Sequence, residues 1–332
     1  MSAVATGVGL AVPGARSATD LTTRTSGGAA PVDPAERIGK KGLRHLDQAT
    51  RLALCAARDA LNAAGLMTGD ARLTATVGGP PAVGAELQVP AESVAVVVSS
   101  NFGNLDSVCE VATTIAADGG TRLLSPVYAP RLSSNVTASE IAIRFGLRGP
   151  NLMVCNGPTS GLDAVYWASV LLSGGRARHV LVVGVEPAND VVRRLTGHDR
   201  PLDGAAALVL ESPAAAAERD APVLAELGGY VRTGGLTGCV SALGGIPRAW
   251  LAPRRAPADV LPGVLRHDLE HRWGPASGAL GVLQCAAAVG HFAAGGGGPV
   301  YAVAGTDGDD AVAGLVLTAP GSRTAGNGVG NA

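Results

Sequence analysis

Residues 160-SGLDAVYWASVLLSGGRARHVLVVG-184, followed by 205-AAALVLES-212, have a counterpart later in the chain. That counterpart is 277-SGALGVLQCAAAVGHFAAGGGGPVYAVAG-305, followed by 313-AGLVLTA-319. Each copy runs Ser-Gly, helix, Gly-rich turn, strand ending in Gly, then a second strand containing Leu-Val-Leu. Because element order recurs as well as composition, the pattern predicts a duplicated core of two α/β halves related by a pseudo-twofold axis.

The rest of the chain extends this reading. Apolar runs predict strands over 4–12, 93–98, 152–154, 179–185, 206–210, 223–231, 300–304 and 314–317. Helical periodicity appears over 46–64, 105–117, 138–145, 161–172 and 278–293. Helices that alternate with nearly continuous apolar strands predict an α/β protein whose sheets are covered by helices. Polar, Pro/Gly-rich connections occupy 13–42 and 69–91, and the tail from Pro320 onward has the composition of a disordered segment.

Composition narrows the function classes. The 332 residues carry 26 Lys+Arg against 27 Asp+Glu, which gives nucleic acid no electrostatic attraction, and no basic tract is present. No apolar run reaches the roughly 18 residues of a membrane span. The opening MSAVATGVGLAVPGARSA lacks a basic leader and is broken by Gly and Pro, so it predicts a buried strand. Five scattered cysteines suit reduced, buried thiols and a cytoplasmic protein. No metal-ligand spacing is present: His267 and His271, four apart, would share one helical face but lack a third ligand. The run 295-GGGG-298 lacks the Lys-Ser/Thr of a phosphate loop and reads as a plain turn. No cofactor is expected.

Several stretches together resemble the ketosynthase branch of the thiolase fold. They are 4-VATGVGLAVPGA-15, 46-LDQATRLALCAARDALNAAGL-66, 124-LSPVYAPRLSSNVTASEIAIRFGLRGP-150, 152-LMVCNGPTSGLDAV-165, 204-GAAALVLES-212 and 266-RHDLEHRWGPASGALG-281. The resemblance implies two pseudo-twofold-related βαβαβαββ halves in a layered α-β-α-β-α arrangement. Residues 1–214 form the N-terminal half, 215–319 a shortened C-terminal half, and 320–332 a tail.

It also implies an altered site. Matched without gaps, the family's nucleophilic cysteine falls on Pro158. In the family that cysteine is a thiolate at a helix N-terminus, and its backbone N–H helps form the oxyanion hole. Proline removes sulfur and N–H together, yet fits a first helical turn. The family's His-Gly-Thr motif has no histidine counterpart in 234–265. In the Lys-x-x-x-Gly-His motif Arg266 stands for the lysine, Glu270 for the glycine and His271 for the histidine. Condensation needs a nucleophile and groups that stabilise an enolate and an oxyanion, so no catalytic set is expected.

Ketosynthases are dimers, and in type II polyketide synthases one partner, the chain-length factor, has lost the cysteine and helps shape the acyl tunnel. The resemblance implies this role, with an active ketosynthase as heterodimer partner and an acyl carrier protein delivering the growing chain. Aromatic systems usually carry glutamine where Pro158 stands, which points to a polyene-type pathway. The tunnel helix would lie in 101–120, with Val108, Ala112, Thr113 and Ala116 as wall residues; small side chains at i, i+4 and i+8 equally suit close helix packing. The alternative is a divergent acyltransferase or hydrolase using Cys155 or Ser160 with His271. Against it, Thr159 and Ser160 suit helix N-capping and Cys155 suits a buried strand end.

Overall fold

Val- and Ala-rich runs supply most of a ten-stranded sheet in a computed structural model that describes residues 3–69 and 85–321; Met67–Thr68 and Glu86–Leu87 pair separately. The expected connection over 70–84 and the tail from residue 322 lie outside the described residues. In the first half the strands are β1 (Ala3–Ala11), β2 (Val94–Ser99), β3 (Asn151–Val154), β4 (His179–Glu186) and β5 (Gly204–Glu211). The second half contributes β6 (Ala225–Thr233), β7 (Ala249–Ala252), β8 (Leu265–Asp268), β9 (Val300–Ala304) and β10 (Val312–Thr318).

Their order across the ladder is β8-β7-β9-β10-β6-β1-β5-β4-β2-β3. Read outward from the junction, the halves run 1-5-4-2-3 and 6-10-9-7-8, the same topology twice. The two meet where Ala3, Val4 and Ala5 pair antiparallel with Leu227, Glu226 and Ala225. On the other side of β6, Leu317 also pairs with Leu227 and Thr318 with Glu226.

The principal helices are α1 (Gln48–Ala63), α2 (Leu105–Asp118), α3 (Val136–Phe145), α4 (Ser160–Ser173), α5 (Asp190–Thr196), α6 (Leu236–Leu243), α7 (Leu269–Trp273) and α8 (Leu280–Ala293). Three apolar cores follow from where they sit. One lies between α1, α3 and the first half's strands, a central one surrounds α4 and α8, and a smaller one lies beneath α6. This is the five-layer α-β-α-β-α stack, with a thinner outer layer on the second half.

The central helices touch through backbone. A Cβ on Gly281 would stand 2.2 Å from the Leu162 nitrogen, and one on Gly161 would stand 2.6 Å from the Gly281 nitrogen. Only glycine at both positions permits that approach. Elsewhere a bulge in β1 between Ala5 and Gly7 frees Thr6 to donate its hydroxyl to buried Glu211. Glu211 also accepts from Arg219 Nε at 2.9 Å and lies 3.0 Å from His179 Nδ1.

Periodicity in the sequence missed β7, β8, α5, α6 and α7. β7, Ala-Trp-Leu-Ala, is apolar but only four residues long, too short to separate from loop by pattern, and β8, Leu-Arg-His-Asp, is mostly polar and gives no alternating or apolar signal. One expectation is corrected here: His267 lies on β8 and His271 on α7, so they share no helical face.

Candidate functional site

The segment after β3 turns sharply. Gly157 has φ +83°, a left-handed conformation that a side chain disfavours, and Gly157–Thr159 form one 3-10 turn that runs into α4. Pro158 occupies that turn, where its fixed φ suits the helix start and its missing N–H leaves no donor at that position. The hydroxyls beside it do not cap α4 as the sequence suggested. Thr159 Oγ1 instead donates to Asp163 Oδ2 at 2.8 Å. Buried Ser160 donates to the Gly157 carbonyl at 2.7 Å and accepts from the Asn156 N–H at 2.8 Å.

Asn101 joins this turn to its counterpart in the second half. Its Nδ2 donates to the Gly157 carbonyl at 2.9 Å and to Ser277 Oγ at 2.8 Å, and its Oδ1 accepts from the Gly157 N–H at 3.2 Å. Ser277 is one of two described non-glycine residues with positive φ, at +41°. Beneath it lies Glu186, 2% exposed at the end of β4. The Glu186 carboxylate accepts from the N–H groups of Asn101 (2.7 Å), Gly278 (2.9 Å) and Phe102 (3.1 Å) and from the Ser100 hydroxyl (3.0 Å). Burial pushes its pKa up to about 7, against these donors, which favour the ionised form.

A cavity of about 290 Å³ opens in front of this seam. Its apolar wall includes Phe102, Pro158, Val192 and Leu280, and its polar wall includes Glu186, His198, Glu270, Thr306 and Asp309. The chain leaving parallel strand β7 adds Pro253, Arg254 and Arg255. Glu270 accepts from the Ala276 N–H at 2.8 Å and the Arg254 N–H at 3.3 Å, and burial raises its pKa against those bonds. Asp309 accepts from the Thr306 N–H at 2.8 Å and hydroxyl at 2.9 Å.

Of the residues singled out in the sequence, Pro158 lines this cavity, and so does Glu270, which stands at the glycine position of the second motif. Arg266 points to the β7 side, with its guanidinium 5.2 Å from the Trp250 ring centre and an Nη1 bond of 2.8 Å to the Ala256 carbonyl. His271 is exposed on α7 and only its backbone N–H is engaged, by Asp268 at 2.9 Å. Cys155 is exposed, not buried as expected, and burial of its thiol followed by the charge of Glu186 raises its pKa. None of Cys155, Ser160 and His271 lines this cavity, and no group of three metal-ligating side chains occurs among the described residues.

Val108, Ala112, Thr113 and Ala116 share the outward face of α2, a helix that buries only Ser107 and Val111. Val108 is 39% exposed and Ile115 38%. All four are exposed among the described residues. Sequence reasoning overlooked Glu186 and the Arg254–Arg255 pair. The acid that ends the apolar run 179–185 was the one readable signal for Glu186.

Among the described residues no helix is long and apolar enough to cross a membrane. Residues 12–198 match the profile of the beta-ketoacyl synthase N-terminal domain. The 3-oxoacyl-[acyl-carrier-protein] synthase 2 of Vibrio harveyi is 26% identical over 242 residues, 65% of this chain and 54% of that protein. The Staphylococcus aureus protein of the same name is 26% identical over 223 residues, 60% of this chain and 51% of its own length. The chain thus spans about half the length of the curated relatives it matches. Among solved structures, the ishigamide ketosynthase/chain length factor superposes with TM-score 0.75 at 20% identity, covering 96% of this chain and 99% of that one. A type II polyketide synthase acyl-carrier protein in complex with its ketosynthase gives TM-score 0.74 at 16% identity over the same shares. At these identities the likeness establishes the fold.

Proposed function

This chain belongs to the beta-ketoacyl synthase family, and on that premise we propose that it is a non-catalytic chain-length factor for polyketide elongation. In this reading 1–214 and 215–319 are its two thiolase-like halves, and Pro158 stands at the nucleophile position. The observation that carries the reading is the turn itself: seat, helix and cavity are built, and the residue placed there has neither a nucleophilic atom nor an N–H. Arg266 and His271 are degenerate remnants of the second motif. The chain does not condense alone; it is a subunit of a β-ketoacyl synthase complex.

The proposed partner is an active ketosynthase, with an acyl carrier protein delivering the acyl chain. Supporting this, β3 ends the ladder with hydrogen bonds to β2 alone and only half-buried Leu152, Met153 and Val154. An open strand edge is a template for another chain. Near it α4 leaves Trp167 46% exposed, and α2 presents its small residues outward. A partner covering these surfaces turns Val108, Ala112, Thr113 and Ala116 into a wall of a shared tunnel, where side-chain size limits acyl length. Within this reading, proline at 158, where aromatic systems usually carry glutamine, favours a polyene-type pathway.

Co-expression with a ketosynthase that has its cysteine and both histidines tests the pairing: the two chains are expected to co-purify in equal amounts. A chain that stays self-associated in the presence of that partner refutes it. In the reconstituted pair, Ala112→Trp is expected to shorten the product while condensation continues. Unchanged product length in a stable complex removes Ala112 from the tunnel wall.

A further inference from the structure

The cavity at Pro158 has polar groups that the pairing does not use. Its three carboxylates are already engaged: Glu186 accepts four hydrogen bonds, Glu270 two backbone N–H groups, and Asp309 two bonds from Thr306. Its two arginines are not. Arg254 and Arg255 are exposed, and among the described residues neither guanidinium has a hydrogen bond or ion pair; the Arg254 backbone N–H donates to Glu270, but its side chain acts on Glu270 only through its charge. Besides the His198 imidazole, the cavity's unpartnered recognition elements are therefore two adjacent cations, beside an apolar wall of Phe102, Pro158, Val192 and Leu280.

We propose that this cavity binds a free aliphatic carboxylic acid non-covalently, with its carboxylate on Arg254 and Arg255 and its chain against Phe102, Val192 and Leu280. Guanidinium donors form a fixed fork that matches a carboxylate in two parallel bonds. A cationic ligand is disfavoured because every lining carboxylate is spoken for by internal donors. At ~30 Å³ per water-sized volume, the 290 Å³ cavity holds roughly ten such volumes, the scale of an eight-carbon acid. With Pro158 in the turn, no nucleophile there can take up the acyl group, so the acid is retained unchanged. The inference does not depend on the pairing with a ketosynthase.

Isothermal titration calorimetry of the full chain with octanoate tests it. Binding is expected with a dissociation constant below about 1 mM, weakened about tenfold or more in Arg254→Gln/Arg255→Gln and for the neutral isostere octanamide. Arg194→Gln, an exposed arginine outside the cavity lining, is expected to bind octanoate as the parent chain does. The octanamide comparison uses the unaltered chain and so stands whether or not the double variant folds. The proposal is overturned if octanoate gives no binding, if octanamide binds equally well, if Arg194→Gln loses as much as the double variant, or if inorganic phosphate binds as tightly as octanoate.

Discussion

The same substitution, glycine to alanine, should have opposite effects on two helices of this protein. At Gly281 in α8 an added Cβ falls 2.2 Å from the Leu162 nitrogen and 2.6 Å from the Gly161 carbonyl carbon. Ordinary contact begins at 3.4 Å, so about 1.2 Å is missing (3.4 minus 2.2), and the obstacle is the backbone of α4. Overpacking of this kind costs about 1–3 kcal/mol, and rigid backbone puts this site at the upper end. Alanine's helix propensity returns about 1 kcal/mol, which leaves a net loss of about 2 kcal/mol. At Gly238 in α6 a Cβ meets nothing within 4 Å and the backbone needs no positive φ, so only the propensity gain of about 1 kcal/mol remains. Urea unfolding followed by fluorescence of Trp167, Trp250 and Trp273 reads both. The midpoint should fall for Gly281→Ala and rise for Gly238→Ala, a contrast of about 3 kcal/mol. If Gly281→Ala matches or exceeds the parent midpoint, α4 and α8 do not meet through backbone and the account of the central layer is wrong.

Glu211 predicts a pH signature. Burial alone would raise its pKa, but hydrogen bonds from Arg219, His179 and Thr6 outweigh it and hold the folded value at about 2 against an ordinary 4.5. A depressed carboxyl stabilises the fold above its unfolded pKa and loses that contribution as pH falls from about 4.5 to about 2. The difference of about 2.5 units corresponds to about 3 kcal/mol, so Glu211→Gln should cost about that near neutrality and almost nothing near pH 2. A penalty that is flat with pH in denaturant titrations would contradict it. For Cys155, the raised pKa predicts alkylation by iodoacetamide at about pH 7.5 more slowly than a free small thiol, accelerating toward higher pH. Peptide mapping by mass spectrometry measures this, and faster-than-free reaction at Cys155 would revive it as a nucleophile. Cys285, fully buried and raised to about 12, should stay unmodified while the fold holds.

Elements with a strong local signal were legible in the sequence. The repeats over 160–184 and 277–305 are long, apolar and bounded by Ser-Gly and Gly-rich turns, and they became α4, β4, α8 and β9. β8 was hidden because three of its four residues are polar; its strand state comes from pairing with β7, a tertiary cause. The cavity was illegible for a related reason. Phe102, Pro158, Glu186, Arg254 and Glu270 come from five separate segments, and no periodicity reports their convergence. The α2 stripe was visible as helix spacing, but whether Ala112 faced a neighbour or open surface depended on what packs around it.

The register at β6 bears on how the two halves are held together. Ala3 and Leu317 both stand opposite Leu227, one on each side. Two strand spacings separate them, roughly 10 Å. Both strands are antiparallel to β6 and hence parallel to each other, so β6 is held between the two halves by a ladder on each side, and parting the halves means breaking the β1–β6 ladder. Because Ala3, Leu227 and Leu317 are all buried, amide hydrogen exchange along β1 and β6 would report directly on whether the seam between the halves has opened.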